Sequence, residues 1–134
     1  MAVDSAGNLF IADNYNHRIR EVVKATGVII TVAGNGTGGF SGDGGAATDA
    51  SISNTSAVAV DSAGNLFIAD AGNYRIREVI RATGTIITVA GNGIYGQSGD
   101  GGVATNTSLG NISGLAVDSA GNLFIADVLI AVKT

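Results

Sequence analysis

The sequence predicts an all-β protein made of β-propeller blades, each of four antiparallel strands. Three observations carry this prediction. The segment AVDSAGNLFIAD occurs three times without change, at Ala2–Asp13, Ala59–Asp70 and Ala116–Asp127, so the chain repeats every 57 residues. A fixed period of this size marks a solenoid, a propeller or an array. β-branched runs alternate with Gly and Asn clusters, which is the pattern of many short strands and tight turns. No segment shows sustained 3.6-residue periodicity with caps, so essentially no helix is expected.

The second copy justifies each strand in turn. Strand A is expected over about Ala57–Asp61, with Val58 and Val60 on one face and Ala57 and Ala59 on the other. Ser62-Ala63-Gly64-Asn65 is a tight turn in which Gly64 or Asn65 takes the left-handed conformation. Strand B comes next at about Leu66–Ala69, then a turn over Asp70–Tyr74. Strand C is expected at Arg75–Ile80, a turn at Thr83-Gly84, and strand D at Thr85–Ala90. Four antiparallel strands and a connection to the next copy describe one blade. The other blocks recur at the same offset: RIREV at Arg18 and Arg75, IITVAGNG at Ile29 and Ile86, SGDGG at Ser41 and Ser98. The 134 residues therefore divide into blade 1 (1–36), a Gly-rich connection (37–55), blade 2 (56–93), a second connection (94–112) and a partial blade 3 (113–134), about 2.35 repeats and an incomplete propeller.

The series VAVDSAGNLFIAD, then N-x-R-I-R-E-V, then G-x-I-x-TVAG resembles the NHL-repeat propellers. The TVAGNG…SGDGG…AT connection is similar to that of bacterial NHL proteins and teneurin-type NHL domains. The resemblance runs from Ala2 to Asp127. Such repeats often carry proline after SGDGG and before strand A; here those places hold Ala46, Val103, Thr55 and Ile112. The resemblance implies a propeller of six blades and a non-enzymatic scaffold or protein-interaction module. It also implies an extracytoplasmic or cell-surface place for the full-length parent, whereas the N-terminus shows no basic region followed by an apolar one. The sequence itself names no compartment. NHL-like propellers include lyases and hydrolases, which gather metal ligands or acid–base groups at a central channel, and others that bind RNA through a basic face. These are the alternative readings.

The count of strands does not close. Repeat units generally need three or more neighbours, and about ten strands per chain give no whole number of six-bladed rings in a dimer or trimer. The chain is therefore expected to be a segment of a longer propeller, its partners being a protein, other copies of itself or the remaining blades. After Asp127 the expected x-x-N-x-R-I gives way to Val128–Thr134. That tail either interrupts the repeat or serves as a last strand C.

Composition removes several function classes. The net charge is −4 and only 13% of residues are charged, so no basic patch invites nucleic acid. No apolar run reaches the ~18 residues of a membrane helix. There is no cysteine and one histidine, so neither a thiolate metal site nor a His cluster can form. No cofactor and no catalytic residue is expected.

Gly34-Asn35-Gly36-Thr37-Gly38-Gly39 fits G-x-G-x-x-G, which seats a pyrophosphate only between a strand and a helix. The next residues, Phe40–Ala47, cannot begin a stable helix, and the pattern recurs at Gly91–Gly96. A blade-to-blade connection is the better reading. Asp43 and Asp100 offer one carboxylate per loop where calcium needs six to eight oxygens; they are expected to accept backbone hydrogen bonds and fix the loop. Asp13 with Arg18, and Asp70 with Arg75, are expected to pair across the B–C turn. Asp127 lacks this arginine, so the third copy should be the least ordered. His17, replaced by Tyr74 in copy two, is an ordinary turn residue. In an up-down meander the B–C turns and the long connections share one rim. That rim, including Asn16, His17, Ser41, Asp43, Asn73, Tyr74, Ser98 and Asp100, is the candidate binding surface.

Overall fold

The computed structural model describes residues 1–128. Three antiparallel sheets succeed one another along the chain. The first holds β1 (Ala2–Val3), β2 (Leu9–Asp13), β3 (Arg18–Val23) and β4 (Val28–Ala33) in chain order. The second holds β5 (Thr55–Val60), β6 (Leu66–Asp70), β7 (Arg75–Ile80) and β8 (Thr85–Ala90). The third holds β9 (Asn111–Val117) and β10 (Leu123–Val128). Strands C and D of the second blade lie where the sequence places them. Strand A starts two residues earlier than expected and stops at Val60, with a bulge between Thr55 and Ala57, because the Asp61 carboxylate is drawn into the turn. The described residues contain no α-helix; four three-residue 3-10 turns stand at 14–16, 47–49, 71–73 and 104–106. The reading of Val128–Thr134 as a last strand C falls, beyond Val128, outside the described residues.

The A–B turn is built identically three times. Asp61 accepts from the backbone N–H of Ala63 (3.0 Å) and Asn65 (2.8 Å), and from the Asn65 amide (3.0 Å). Asp4 and Asp118 do the same one period away. Gly64, not Asn65, takes the positive φ (85°). Burial works against the Asp4 carboxylate, but the Asn8 amide and backbone N–H groups outweigh it and hold its pKa low. The Asn122 amide chiefly lowers that of Asp118.

The core lies between sheets rather than within one. Phe10 and Ile19 of the first sheet meet Leu66, Ile68 and Ile86 of the second, with Ile52 of the connection between them. A second cluster joins Ala69, Ile76 and Ala90 to Leu109 and Ile112. Each blade thus hides apolar side chains against the next. The repeated phenylalanine measures this: Phe10 is 2% exposed, Phe67 7%, and Phe124 59%. Burying such a side chain is worth ~1.5–3 kcal/mol, so the outer face of the third sheet is a place of unrealised stability.

Candidate functional site

The B–C turns and Gly-rich connections lie together through Asn73, whose amide donates to the Gly39 carbonyl (2.8 Å) and to both Asp70 oxygens (3.0 and 2.9 Å). Tyr74 and His17, at corresponding places, both adopt φ 52°. Each closes a 3-10 turn and reverses the chain into strand C.

At the centre of this region sits Arg77, a fully buried arginine. Its guanidinium meets Asp70 at 3.1 Å and Asp43 at 2.8 Å. It also donates to the carbonyls of Ser51 (3.1 Å) and Ser41 (2.9 Å). Asp43 further accepts from the Thr88 hydroxyl. Phe40 covers the outside, with the guanidinium carbons of Arg75 and Arg77 3.8 and 4.7 Å from its ring centre. One arginine therefore fastens strand B, strand C and the connection leaving the previous blade. Burial pushes the Asp70 carboxyl up, opposed by the Ser53 N–H, Asn73 and Arg77.

Two sequence expectations are corrected here. The carboxylate of Asp70 pairs with Arg77, not Arg75, and Asp13 with Arg20 (3.5 Å), not Arg18. Asp70 and Arg75 are opposite each other in backbone register, as are Asp13 and Arg18. The Arg75 side chain instead turns toward the connection, reaching the Asn92 carbonyl at 3.4 Å and lying over Phe40. Asp43 does fix its loop, but through the side chains of Arg77 and Thr88 rather than through backbone N–H groups.

The other rim residues are engaged in similar ways. Asn16 donates to both oxygens of Asp13 (3.0 and 3.1 Å). His17 lies against Gly38, and among the described residues its buried Nδ1 finds no hydrogen-bond partner. The Ser41 hydroxyl accepts from the Ser51 N–H (3.1 Å). Ser98 and Ser108 hydroxyls bond at 3.1 Å. Tyr74 meets Tyr95 edge to face with ring centres 5.3 Å apart. Asp100 joins no hydrogen bond or ion pair among the described residues. Sequence reasoning missed Arg77, Phe40 and Tyr95. The alternation in Arg75-Ile76-Arg77 was the available signal, because period 2 puts both arginines on one face of strand C.

The G-x-G-x-x-G stretch seats protein, not phosphate. A Cβ on Gly34 would come 2.2 Å from the His17 carbonyl oxygen, and one on Gly36 2.6 Å from the Arg18 guanidinium. Gly91 and Gly93 repeat this against Tyr74 and Arg75. The chain then runs into an extended loop and a three-residue turn, with no helix N-terminus to face an anion. Among the described residues no group of three His, Cys, Asp or Glu side chains converges to hold a metal, and no helix is long and apolar enough to cross a membrane.

Two four-stranded meanders succeed one another in chain order, the second clasped by the loop leaving the first, and define a protein of β-propeller blades. The chain belongs to the teneurin NHL domain family, whose model matches residues 1–80. It is 37% identical to human Teneurin-1 over 93 residues, covering 60% of this chain and 3% of that protein. It is 34% identical over 73 residues to SUPPRESSOR OF QUENCHING 1, chloroplastic, of Arabidopsis thaliana, covering 54% of this chain and 7% of that protein. A solved structural-genomics protein of unknown function from Bacteroides thetaiotaomicron superposes with a TM-score of 0.79 at 19% identity, over 90% of this chain and 30% of that one. The chain thus spans a small part of each of these proteins.

Proposed function

We infer that the chain is a non-enzymatic propeller module acting as a scaffold or protein-interaction surface, with the long-loop rim as its contact face. One observation carries this. The rim's Asp70, Asn73 and Arg77 side chains are engaged inside the fold, while aromatic side chains reach its surface. Phe40 is 41% and Tyr95 38% exposed. Through Arg75 on Phe40 and Tyr74 on Tyr95 they form a continuous strip Phe40–Arg75–Tyr74–Tyr95. Tyr, Phe and Arg are the side chains that concentrate binding energy at protein interfaces. Membership of a teneurin NHL family supports the same reading.

The test is affinity capture from a cell extract with three baits: the wild type, the double variant Phe40→Ala/Tyr95→Ala, and Ala82→Arg on the opposite rim. Proteins retained by the wild type and by Ala82→Arg, and lost with the double variant, are the expected result. Retention unaffected by the double variant, or turnover of a lyase or hydrolase substrate by the purified chain, would overturn the reading.

A further inference from the structure

We propose that the cleft between the first and second sheets binds a small organic ammonium ion with an apolar body, its charge held by Glu21. The cleft opens on the short-turn rim, so the inference does not depend on what the long-loop rim contacts.

Two cross-strand rows of side chains meet here. Phe10, Glu21 and Ile30 stand side by side across β2, β3 and β4. Leu66 and Val79 stand side by side across β6 and β7. Both rows line one cavity of about 280 Å³, together with Val32, Gly64, Gly84 and Arg81. Gly64 belongs to the A–B turn of the second blade and Gly84 to its C–D turn, which places the cavity at the short-turn rim. Each wall is a four-stranded sheet.

Glu21 stands apart in this lining. Its side chain is only 5% exposed, yet its carboxylate makes no hydrogen bond or ion pair among the described residues. Taking a charge out of water without a partner is costly. Every other lining residue except Arg81 is apolar or glycine. Arg81 is exposed, its side-chain carbons lying over Gly64, and it forms no ion pair with Glu21. The partner that Glu21 lacks therefore has to enter from the cavity.

The lining also selects the chemistry of that partner. One carboxylate is far short of the six to eight oxygens that calcium takes, which argues against a bare metal ion. An ammonium group needs only one carboxylate for a strong, charge-assisted hydrogen bond. Phe10, next to Glu21, supplies an aromatic ring of the kind that attracts cations. Ile30, Val32, Leu66 and Val79 offer a hydrocarbon body a dry wall. The volume falls just below the ~300–1,000 Å³ of sites that hold drug-sized ligands, so the occupant is small.

The cleft is a property of the repeat. Phe67, Glu78 and Ile87 form the same row one period on. A second cavity there is lined by Phe67, Glu78, Val89, Gly121 and Leu123, the counterparts of Phe10, Glu21, Val32, Gly64 and Leu66. The proposal rests on the first cavity, whose two walls are both four-stranded.

Phenethylammonium chloride is the probe, and phenethyl alcohol, a neutral compound of the same shape, is its control. Each is titrated into the purified chain at constant pH and ionic strength and followed by backbone amide NMR shifts. Saturable shifts centred on Gly64, Leu66 and Gly84 are expected. The ammonium ion should bind roughly tenfold or more tighter than the alcohol, the ratio that a hydrogen bond to a charged group supplies. Glu21→Gln keeps the shape of the side chain and is expected to bring the ammonium ion down to the affinity of the alcohol. Arg81→Gln changes an exposed residue and leaves the fold intact. Removing that cation from the lining is expected to tighten the ammonium ion by up to about fivefold at low salt. No saturable shift, equal affinity for the two compounds, no loss with Glu21→Gln, weakening with Arg81→Gln, or shifts centred outside the cleft would overturn the proposal.

Discussion

Arg77→Met is expected to cost about 3–5 kcal/mol of stability, the cost of leaving a buried charge without its partner. Arg77 and Asp70 are both fully buried. Methionine fills much of the volume but returns none of the hydrogen bonds to Asp70, Asp43, Ser41 and Ser51. A domain's whole stability is about 5–15 kcal/mol, so the second blade and its connection should come apart well before the wild type does. Arg20→Met removes a looser pair whose side chains are 31% and 26% exposed, and costs no more than about 1 kcal/mol. Urea unfolding of both variants reads the contrast. Equal losses at the two positions would contradict the picture of one arginine fastening three segments.

Gly91→Ala is the second large effect. At Gly91 φ is +89°, and a Cβ would come 2.3 Å from the Tyr74 carbonyl oxygen and 2.9 Å from the Arg75 Cα. Both obstacles are backbone, so the B–C turn and the exit from strand D must move apart. A side chain forced left-handed costs about 1–2 kcal/mol by itself, and overpacking typically adds about 1–3 kcal/mol. Gly84→Ala is the control, because its φ is +70° and nothing lies within 4 Å of an added Cβ. Thermal unfolding should place Gly91→Ala well below Gly84→Ala, which feels the backbone strain alone.

The repeat made most of the fold legible. Identical blocks 57 residues apart fixed the blade, and alternation with glycine turns fixed strands C and D at Arg75–Ile80 and Thr85–Ala90. Strand A was shifted because its end is decided by the Asp61 carboxylate closing on Asn65, a local competition that apolar alternation does not report. The ion pairs were misassigned by two residues. Sequence distance favoured Arg75, which sits opposite Asp70, but the position buried between Asp43 and Asp70 is Arg77. That choice is made by a loop arriving from the preceding blade, 34 residues earlier in the chain. Phe40 escaped for the same reason, since Arg75 and Arg77 belong to the next repeat. The G-x-G-x-x-G stretch reads as a connection from its recurrence at Gly91–Gly96 and from Phe40–Ala47, which cannot begin a helix. The geometry adds why glycine is needed there: the backbone passes within contact of the previous turn's carbonyl.

The Gly-rich connection acts as a clasp, held to the next blade by Asp43 on Arg77. A double-mutant cycle of Asp43→Asn and Arg77→Met, read by urea unfolding, tests this most directly. The expected coupling is about 1.5–3 kcal/mol, the range of hydrogen bonds to charged groups. A coupling indistinguishable from zero would mean that the loop only lies against the blade, and the clasp would have to be abandoned.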